Sequence, residues 1–408
     1  MRQPELTADG VSGHEWDVVV AGAGPVGLLL AGELAGAGIR TLVLEAAEEP
    51  STIPKANGIV GRSARDLAKR GILAGSGMRV LSPRRFQFGP LALDLGTGPG
   101  NPLHILPIPQ RRLEQLLEDR AIASGATLRR GHAVTGFTQD ASQVQIEVRA
   151  AQGAAHVTTA FLVGCDGARS LVRKHAGIGF PGFTSEEIAR IARVTIPGEA
   201  IARVDGGFDI RGVGRVAGMR PNRLPGGGFS IAPVSVLDPS APADLYVIST
   251  HEPRGDAEPS DRMLVDELRA SARRVLGADL PFTAADAIRS TVGNSRHADA
   301  YRVGRVLLAG DAAHIFNAGG SGLNAGIQDA FDLAARLVAT IRDGATADTL
   351  DGYEANRRPA VERVLDHTRV QAALTRDDDV GRALRAVMGE LLADRAAART
   401  AARLLESA

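Results

Sequence analysis

The sequence predicts an α/β fold: a Rossmann-type nucleotide-binding domain with an inserted, mainly antiparallel β-sheet domain and a C-terminal helix. Three observations predict it. A buried strand, a glycine-rich turn and an apolar helix follow one another at once near the start of the chain. After Gly182, short alternating runs split by Gly and Pro replace that pattern. From Arg305 the buried strand and long apolar helix return. The expected boundaries are 16–182 for the first part of the nucleotide-binding domain, 183–290 for the sheet domain, 291–375 for the return segment and 376–408 for a helical C-terminal segment.

Trp16 to Ala21, centred on Val18-Val19-Val20, reads as a short buried strand. Gly22-Ala23-Gly24-Pro25-Val26-Gly27 follows, and Leu28 to Gly36 reads as a helix. Gly22 suits a tight turn, Gly24 lets the backbone approach a pyrophosphate, and Gly27 lets helix and strand pack closely. The helix N-terminus offers free N–H groups to phosphates. A second strand over 39–44 ends in Glu45, at roughly the 20-residue spacing of a carboxylate that binds a ribose hydroxyl. A glycine turn in an unrelated α/β protein is the competing reading, and the flanking elements with Glu45 weigh against it.

Arg62 to Arg70 reads as a helix stopped at Gly71, and residues 77–106 as strands. A helix from Pro109 ends before Gly125, and strands are expected near 127–129 and 144–149. Phe161 to Cys165 is a buried strand, followed by Asp166-Gly167-Ala168-Arg169-Ser170. The sheet domain includes Val194-Thr195-Ile196-Pro197 and Leu245 to Ser249, and a helix spans 260–276. The returning strand, 305–309, leads into Gly310-Asp311-Ala312-Ala313-His314 and then Gly319-Gly320-Ser321-Gly322-Leu323-Asn324. Leu323 to Ile341 is a helix with Ile327, Phe331, Ala334, Val338 and Ile341 on one face. Arg382 to Leu405 reads as one helix with Leu384, Met388, Leu391 and Leu392 on a face.

The chain has 408 residues, 44% of them hydrophobic, enough for a sizeable core in two or three domains. Lys+Arg and Asp+Glu both number 47, so the basic footprint of a nucleic-acid binder is missing. With one cysteine, Cys165, there is no internal disulfide or Cys-based metal cluster, and no metal site is expected. A small buried hydrophobe is the favoured reading of Cys165. The first fifteen residues lack a basic n-region, and the apolar stretch Val18 to Leu34 is too short for a span and carries Glu33. A soluble cytoplasmic protein is expected, with no membrane or nucleic-acid partner, as monomer or homodimer.

Three Gly/Asp segments in this order suggest one large nucleotide cofactor held by the start, middle and far end of the chain. They resemble the three fingerprints of class A flavoprotein monooxygenases, the para-hydroxybenzoate hydroxylase fold. Finer similarity is to the aromatic polyketide hydroxylases, over roughly residues 16–375. It rests on Leu44-Glu45, Arg62 ahead of Arg70-Gly71-Ile72-Leu73, and Ile108-Pro109-Gln110 with Leu113-Glu114. Cys165 through Val172-Arg173-Lys174, and Leu350-Asp351-Gly352-Tyr353-Glu354 with Arg357, complete it.

The resemblance implies that the Rossmann-type domain binds FAD and the inserted sheet domain binds substrate. Gly22, Gly24 and Gly27 would hold the FAD pyrophosphate, and Glu45 the adenosine ribose. Pro25, Val26, Ala46, Lys55, Arg62 and Val134 are placed with them at the cofactor. Gln110 would lie beside the flavin, and Asp166 with Gly167 in a segment tied to FAD and NADPH. Asp311 would bind the ribityl chain, and Gly319, Gly320, Ser321, Gly322, Leu323 and Asn324 would cradle the isoalloxazine. A helix N-cap is the alternative role for Asp166 and Asp311.

The implied reaction uses NADPH (or NADH) and O2, forms a flavin hydroperoxide, and passes one oxygen to a polycyclic aromatic ring. The cofactor carries the chemistry, so no side-chain nucleophile is required. Arg220, Phe229 and Asn317 are candidate substrate contacts, although Phe86, Phe88, Phe208 and Phe229 read more readily as core. His314 could be a base, but a structural role beside the flavin is favoured.

The chain departs from the family at three points. Ile315-Phe316-Asn317-Ala318 lacks a proline usual there and is one residue short, Ser321 replaces a common Gln, and Lys55 replaces a usual Arg. Baeyer–Villiger insertion, dehydrogenation, or flavin binding without turnover therefore remain alternatives. The stretch after Leu374 is too short for the thioredoxin-like C-terminal domain that many relatives carry.

Overall fold

The computed structural model describes residues 15–51, 57–98, 100–236, 240–256, 259–260, 263–317, 322–346, 348–376 and 378–406. The helices are α1 (Pro25–Gly36), α2 (Arg62–Lys69), α3 (Gln110–Ala123), α4 (Leu171–His175), α5 (Val265–Leu276), α6 (Gly322–Ile341), α7 (Asp348–Leu374), α8 (Asp379–Ala393) and α9 (Arg395–Glu406).

The central sheet has eight strands. Its parallel core runs Val306–Leu308, Gly153–Gly164, Trp16–Ala21, Thr41–Glu45, Thr127–Arg130. The β-rich residues Val18, Val19, Val20, Leu42, Val43, Leu162 and Val163 are buried there, as a sheet covered on both faces requires. Helices α1 and α6 pack together, and α1 packs on α3. Gly32 in α1 lies against Ala121 in α3, so small residues set that close approach.

The strand expected at 161–165 is longer, Gly153–Gly164. Its first half pairs antiparallel with Val144–Ala150, and its second half joins the parallel core. The strand Ala133–Gln139, which the sequence reading missed, pairs with Val144–Ala150. It is mixed in polarity and half-buried, so it carries little alternation.

The second sheet has six strands in the order Asn222–Leu224, Gly227–Pro233, Leu245–Pro253, Gly182–Thr195, Ala284–His297, His314–Ile315. Residue 290, the expected end of the sheet domain, falls inside the strand Ala284–His297. That strand pairs along nearly its whole length with Gly182–Thr195. It reads poorly as a strand because Asp286, Arg289 and Asn294 interrupt it. Helix α5 begins at Val265, later than expected, and buries Leu268, Ala272 and Val275 on one face of this sheet.

The single C-terminal helix expected from sequence is two helices. Asp394 stands between them in extended backbone, φ −72°, ψ 129°. Its carboxylate accepts the Ala397 N–H at 2.9 Å and so caps α9. The propensity of Asp for the N-cap outweighs the Ala/Arg/Leu helix signal. Of the four residues read as one face, Leu392 is buried and Met388 packs at the cluster's edge, while Leu384 and Leu391 are exposed. Among the described residues, no helix is long and apolar enough to cross a membrane.

Candidate cofactor site

Four parallel strands end on one side of the central sheet, and their ends are stitched together. Gly22 donates to the Leu44 carbonyl at 2.7 Å, Cys165 to that of Ala21 at 2.8 Å, and Ala309 to that of Gly164 at 3.0 Å. Ligands of open α/β sheets bind at the carboxyl ends of the strands. A cleft of about 710 Å³ opens there.

Gly22, Gly24, Pro25, Val26, Glu45, Ala46, Gln110, Val134, Asp166, Gly167, Asp311, Gly322 and Leu323 all line the cleft. The three Gly/Asp segments, far apart in sequence, thus meet at one site. Gly27 does not line it. A Cβ at Gly27 would stand 2.1 Å from the Gly22 carbonyl oxygen, so this glycine serves loop-to-helix packing.

Two expected contacts fall elsewhere. Arg62 is exposed and pairs with Asp66 at 3.2 Å, because both lie one turn apart on α2. Asn324 is buried, and its Oδ1 accepts the Val60 N–H at 2.8 Å, so its side chain ties α6 to the strand Gly58–Val60. Lys55, Gly319, Gly320 and Ser321 lie outside the described residues, as does Ala318.

Glu45 does more than face the cleft. Its Oε2 accepts the Ala23 N–H and its Oε1 the Ala47 N–H, both at 2.8 Å. The carboxylate therefore holds the glycine loop while each oxygen keeps a lone pair for a hydroxyl. Asp166 divides in the same way. Its Oδ2 accepts from Leu171 N at 2.7 Å and Val172 N at 3.1 Å, the first two amides of α4. Its Oδ1 is buried without a hydrogen-bond partner. The N-cap of α4 is Ser170, whose Oγ accepts the Arg173 N–H at 2.9 Å, so Asp166 supports the helix start without being its N-cap residue. Asp311 Oδ1 lies 3.6 Å from where a Gly322 Cβ would be, across the turn from the start of α6.

FAD fits this donor set. No side chain caps α1 and no acidic residue occupies its first turn, so its N-terminal amides and partial positive charge are left for a diphosphate. Nothing lies within 4 Å of a Cβ built on Gly24, which is open toward the cleft. The orphaned Asp166 Oδ1 is a buried acceptor that a hydroxyl or amide of a ligand would satisfy.

The sequence reading missed several residues here. Arg130, Arg169, Glu114, Ile315 and Phe316 also line the cleft. Arg130 is the strand partner of Glu45 and pairs with Glu118 at 2.6 Å. Behind the loop after Val306–Leu308 lies a buried charge cluster. Asp329 on α6 accepts from His314 Nε2 at 2.6 Å, Gly310 N at 3.0 Å and Arg357 Nε at 2.8 Å. Burial alone would raise the Asp329 carboxyl, but His314 and Arg357 hold it well below the usual carboxylate range. His314 is fully buried, which suits the structural role favoured for it over that of a base.

Four other histidines have structural partners. His104 bonds Glu406, His297 bonds Tyr301, His132 bonds the Arg130 carbonyl, and His367 bonds Gln371. Burial pushes the Cys165 thiol up, which fits a packing role rather than a reactive thiolate.

The same loop reaches the second sheet. His314–Ile315 pairs with Arg296 and His297, and Asn317 N–H bonds Ser295 Oγ at 3.0 Å. The Asn317 side chain rests over Gly293, where no Cβ would fit. Of the three candidate substrate contacts, Asn317 is thus at the junction of sheet and cleft. Phe229 is not. It is fully buried with Leu268 and Val275 of α5, on the sheet face turned away from Gly293. The same helix requires Gly226, where a Cβ would meet the Arg274 carbonyl oxygen at 1.9 Å, whereas Cβ atoms at Gly227 and Gly228 would meet His251 first. Arg220 is exposed on a turn and does not line the cleft.

Glu45→Ala should weaken FAD binding by roughly 1.5–3 kcal/mol, the scale of a hydrogen bond to a charged group. Because Ala23 and Ala47 also lose their acceptor, the apo protein should melt lower as well. Titration calorimetry with FAD and apo thermal melts measure the two effects separately. Unchanged FAD affinity with weakened NADPH affinity would reassign Glu45.

Comparison with known proteins agrees with this geometry. The FAD binding domain family matches residues 15–368. A 12-dehydrotetracycline 5-monooxygenase/anhydrotetracycline 6-monooxygenase from Streptomyces rimosus is 41% identical over 385 residues, covering 92% of this chain and 73% of that protein. The solved structure of the anhydrotetracycline hydroxylase OxyS from Streptomyces rimosus superposes with a TM-score of 0.79 at 38% identity, covering 96% of this chain and 76% of that one. The structure of the Diels-Alderase PyrE3 of pyrroindomycin biosynthesis superposes at 0.83 with 31% identity, covering 96% and 80%.

Proposed function

We propose, from the premise that this chain belongs to the FAD binding domain family and is an FAD-dependent monooxygenase, that it oxygenates an electron-rich ring of a polycyclic aromatic polyketide. NADPH or NADH is the reductant in this reading. The observation that carries it is the convergence of the glycine loop, Glu45, Asp166 and Asp311 on one cleft whose far loop joins the second sheet. The tetracycline-directed names of the S. rimosus relatives supply the substrate class.

When bound, FAD supplies the hydride acceptance and oxygen activation. The protein's part is binding, orientation and exclusion of water. The N-terminal amides of α1 would hold the diphosphate and Glu45 the ribose of the adenosine. Asp311 would take a hydroxyl of the ribityl chain. Ile315 and Phe316 give the cleft an apolar wall beside Asp311, and such a wall keeps water from the reacting centre. The sheet face opposite α5, entered at Gly293 and Asn317, would carry the aromatic ligand. Apolar burial would give most of the affinity there and a few polar groups the orientation.

Holoenzyme supplied with NADPH, labelled O2 and a panel of polycyclic phenols and quinones tests this. The expected product gains one labelled oxygen with its rings intact. A labelled product with an expanded ring would indicate Baeyer–Villiger insertion. Substrate-dependent NADPH consumption with no label in any product would indicate a dehydrogenase or an uncoupled oxidase. Kinship to the Diels-Alderase PyrE3 makes a third outcome informative: conversion of ligand without NADPH would place this chain with that non-oxygenating chemistry.

A further inference from the structure

His251 lies on the face of the second sheet turned away from α5, the face proposed above for the aromatic ligand. Its neighbours Thr250 and Glu252 face the other way, and both bond Ser271 of α5. Side chains alternate along a strand, so His251 points to the opposite side. Across the sheet it stands in line with Gly228 on one side and with Ala189, then Thr291, on the other. Gly293, two residues beyond Thr291, shares that face and carries the Asn317 side chain.

The side chains that flank His251 across the sheet are the smallest available. Gly228 has none, and a Cβ there would stand 3.0 Å from the His251 Cβ. Ala189 adds only a methyl group. The floor around the imidazole is therefore flat, which suits a planar ring system. Two strand spacings, roughly 10 Å, separate His251 from Thr291, a span that fused rings lying across the sheet would bridge.

Ser249, on the same face, has its Oγ 3.3 Å from His251 Nε2. An Nε2–H donated to that hydroxyl leaves Nδ1 as a lone-pair acceptor. Nδ1 has no hydrogen-bond partner among the described residues and is not sealed in the interior. Burial lowers the His251 pKa, and the charged neighbours Glu187 and Arg223 oppose each other while pairing at 2.8 Å. At neutral pH the imidazole is thus a neutral acceptor, not a cation.

Resting on the assignment of this face to an aromatic ligand, we propose that His251 is a specificity-determining contact whose Nδ1 accepts a hydrogen bond from a phenolic hydroxyl of a planar fused-ring ligand. That bond fixes how the ring system lies relative to the cofactor cleft. A ligand without the hydroxyl would strip water from Nδ1 and return nothing, so the site discriminates against it.

Titration of the FAD-loaded protein with 2-anthrol and with its methyl ether, read by ligand fluorescence, tests this. The wild type should bind 2-anthrol at least tenfold more tightly than the ether. His251→Leu removes both nitrogens and leaves room for the methyl group. It should erase the preference by weakening 2-anthrol binding at least tenfold, with flavin content and melting temperature unchanged. His251→Asn keeps an acceptor near the place of Nδ1 and should retain the preference. A preference kept by His251→Leu, or lost in folded His251→Asn protein, would overturn the role of His251 while leaving the aromatic ligand in place. Failure of both probes to bind the wild type would overturn the aromatic ligand and the role of His251 together.

Discussion

Asp329→Ala should destabilise the protein by about 3–5 kcal/mol, the penalty for stranding a buried charge by removing its partner. Arg357 is buried and its Nε donates to Asp329. His314 Nε2 and Gly310 N lose the same acceptor. Gly310 precedes Asp311, so the loop at the cleft should loosen and FAD should be held less tightly. Chemical denaturation and flavin retention on dialysis measure the two consequences. Adding Arg357→Met to Asp329→Ala should recover part of the stability, because the orphaned guanidinium is gone, but should not restore flavin retention. Full stability in the single variant would show that the cluster does not brace the loop.

The sign of the pH dependence follows from the same cluster. Asp329 is depressed in the folded state, so its contribution is complete above the unfolded carboxyl value of about 4 and is lost as pH falls through the folded value. The wild type should therefore lose this share of its stability only in acid, and Asp329→Ala should lack that part of the acid limb.

Gly22 and Gly24 should separate fold from cofactor. Gly22 has φ +105°, and a Cβ there would stand 2.5 Å from the Cys165 carbonyl oxygen. Gly22→Ala should destabilise the apo protein, with about 1–3 kcal/mol from the backbone conformation alone and more from forcing two strand ends apart. Gly24 has φ −76° and ψ 178°, ordinary extended backbone, and open space around a built Cβ. Gly24→Val should leave the apo melting temperature unchanged and abolish flavin binding by filling the place of the pyrophosphate. Thermal melts of both apo variants, with and without added FAD, provide the comparison. Tight FAD binding by Gly24→Val would place the pyrophosphate elsewhere in the cleft.

The sequence by itself determined the cofactor end of this protein. The first strand, the glycine loop and α1 lie where local signals put them, and Glu45 and Asp311 lie at strand ends in the same cleft. These signals are legible because close backbone approach demands glycine and the apolar strands of a parallel core run without interruption. Tertiary structure decided the rest. Asp329, His314 and Arg357 come from a helix, a short strand and a second helix. Only their convergence distinguishes a buried ion cluster from charges on solvated faces. Phe229 shows the same limit in a strand, since alternation tells that every second residue is covered but not which sheet face receives α5 and which the ligand. The C-terminal segment shows it in a helix. Asp394 acts as a cap rather than a helical residue because α9 can bury Ala398, Ala402 and Leu405 only by turning back. That turn leaves Val380, Leu384, Val387 and Leu391 facing outward.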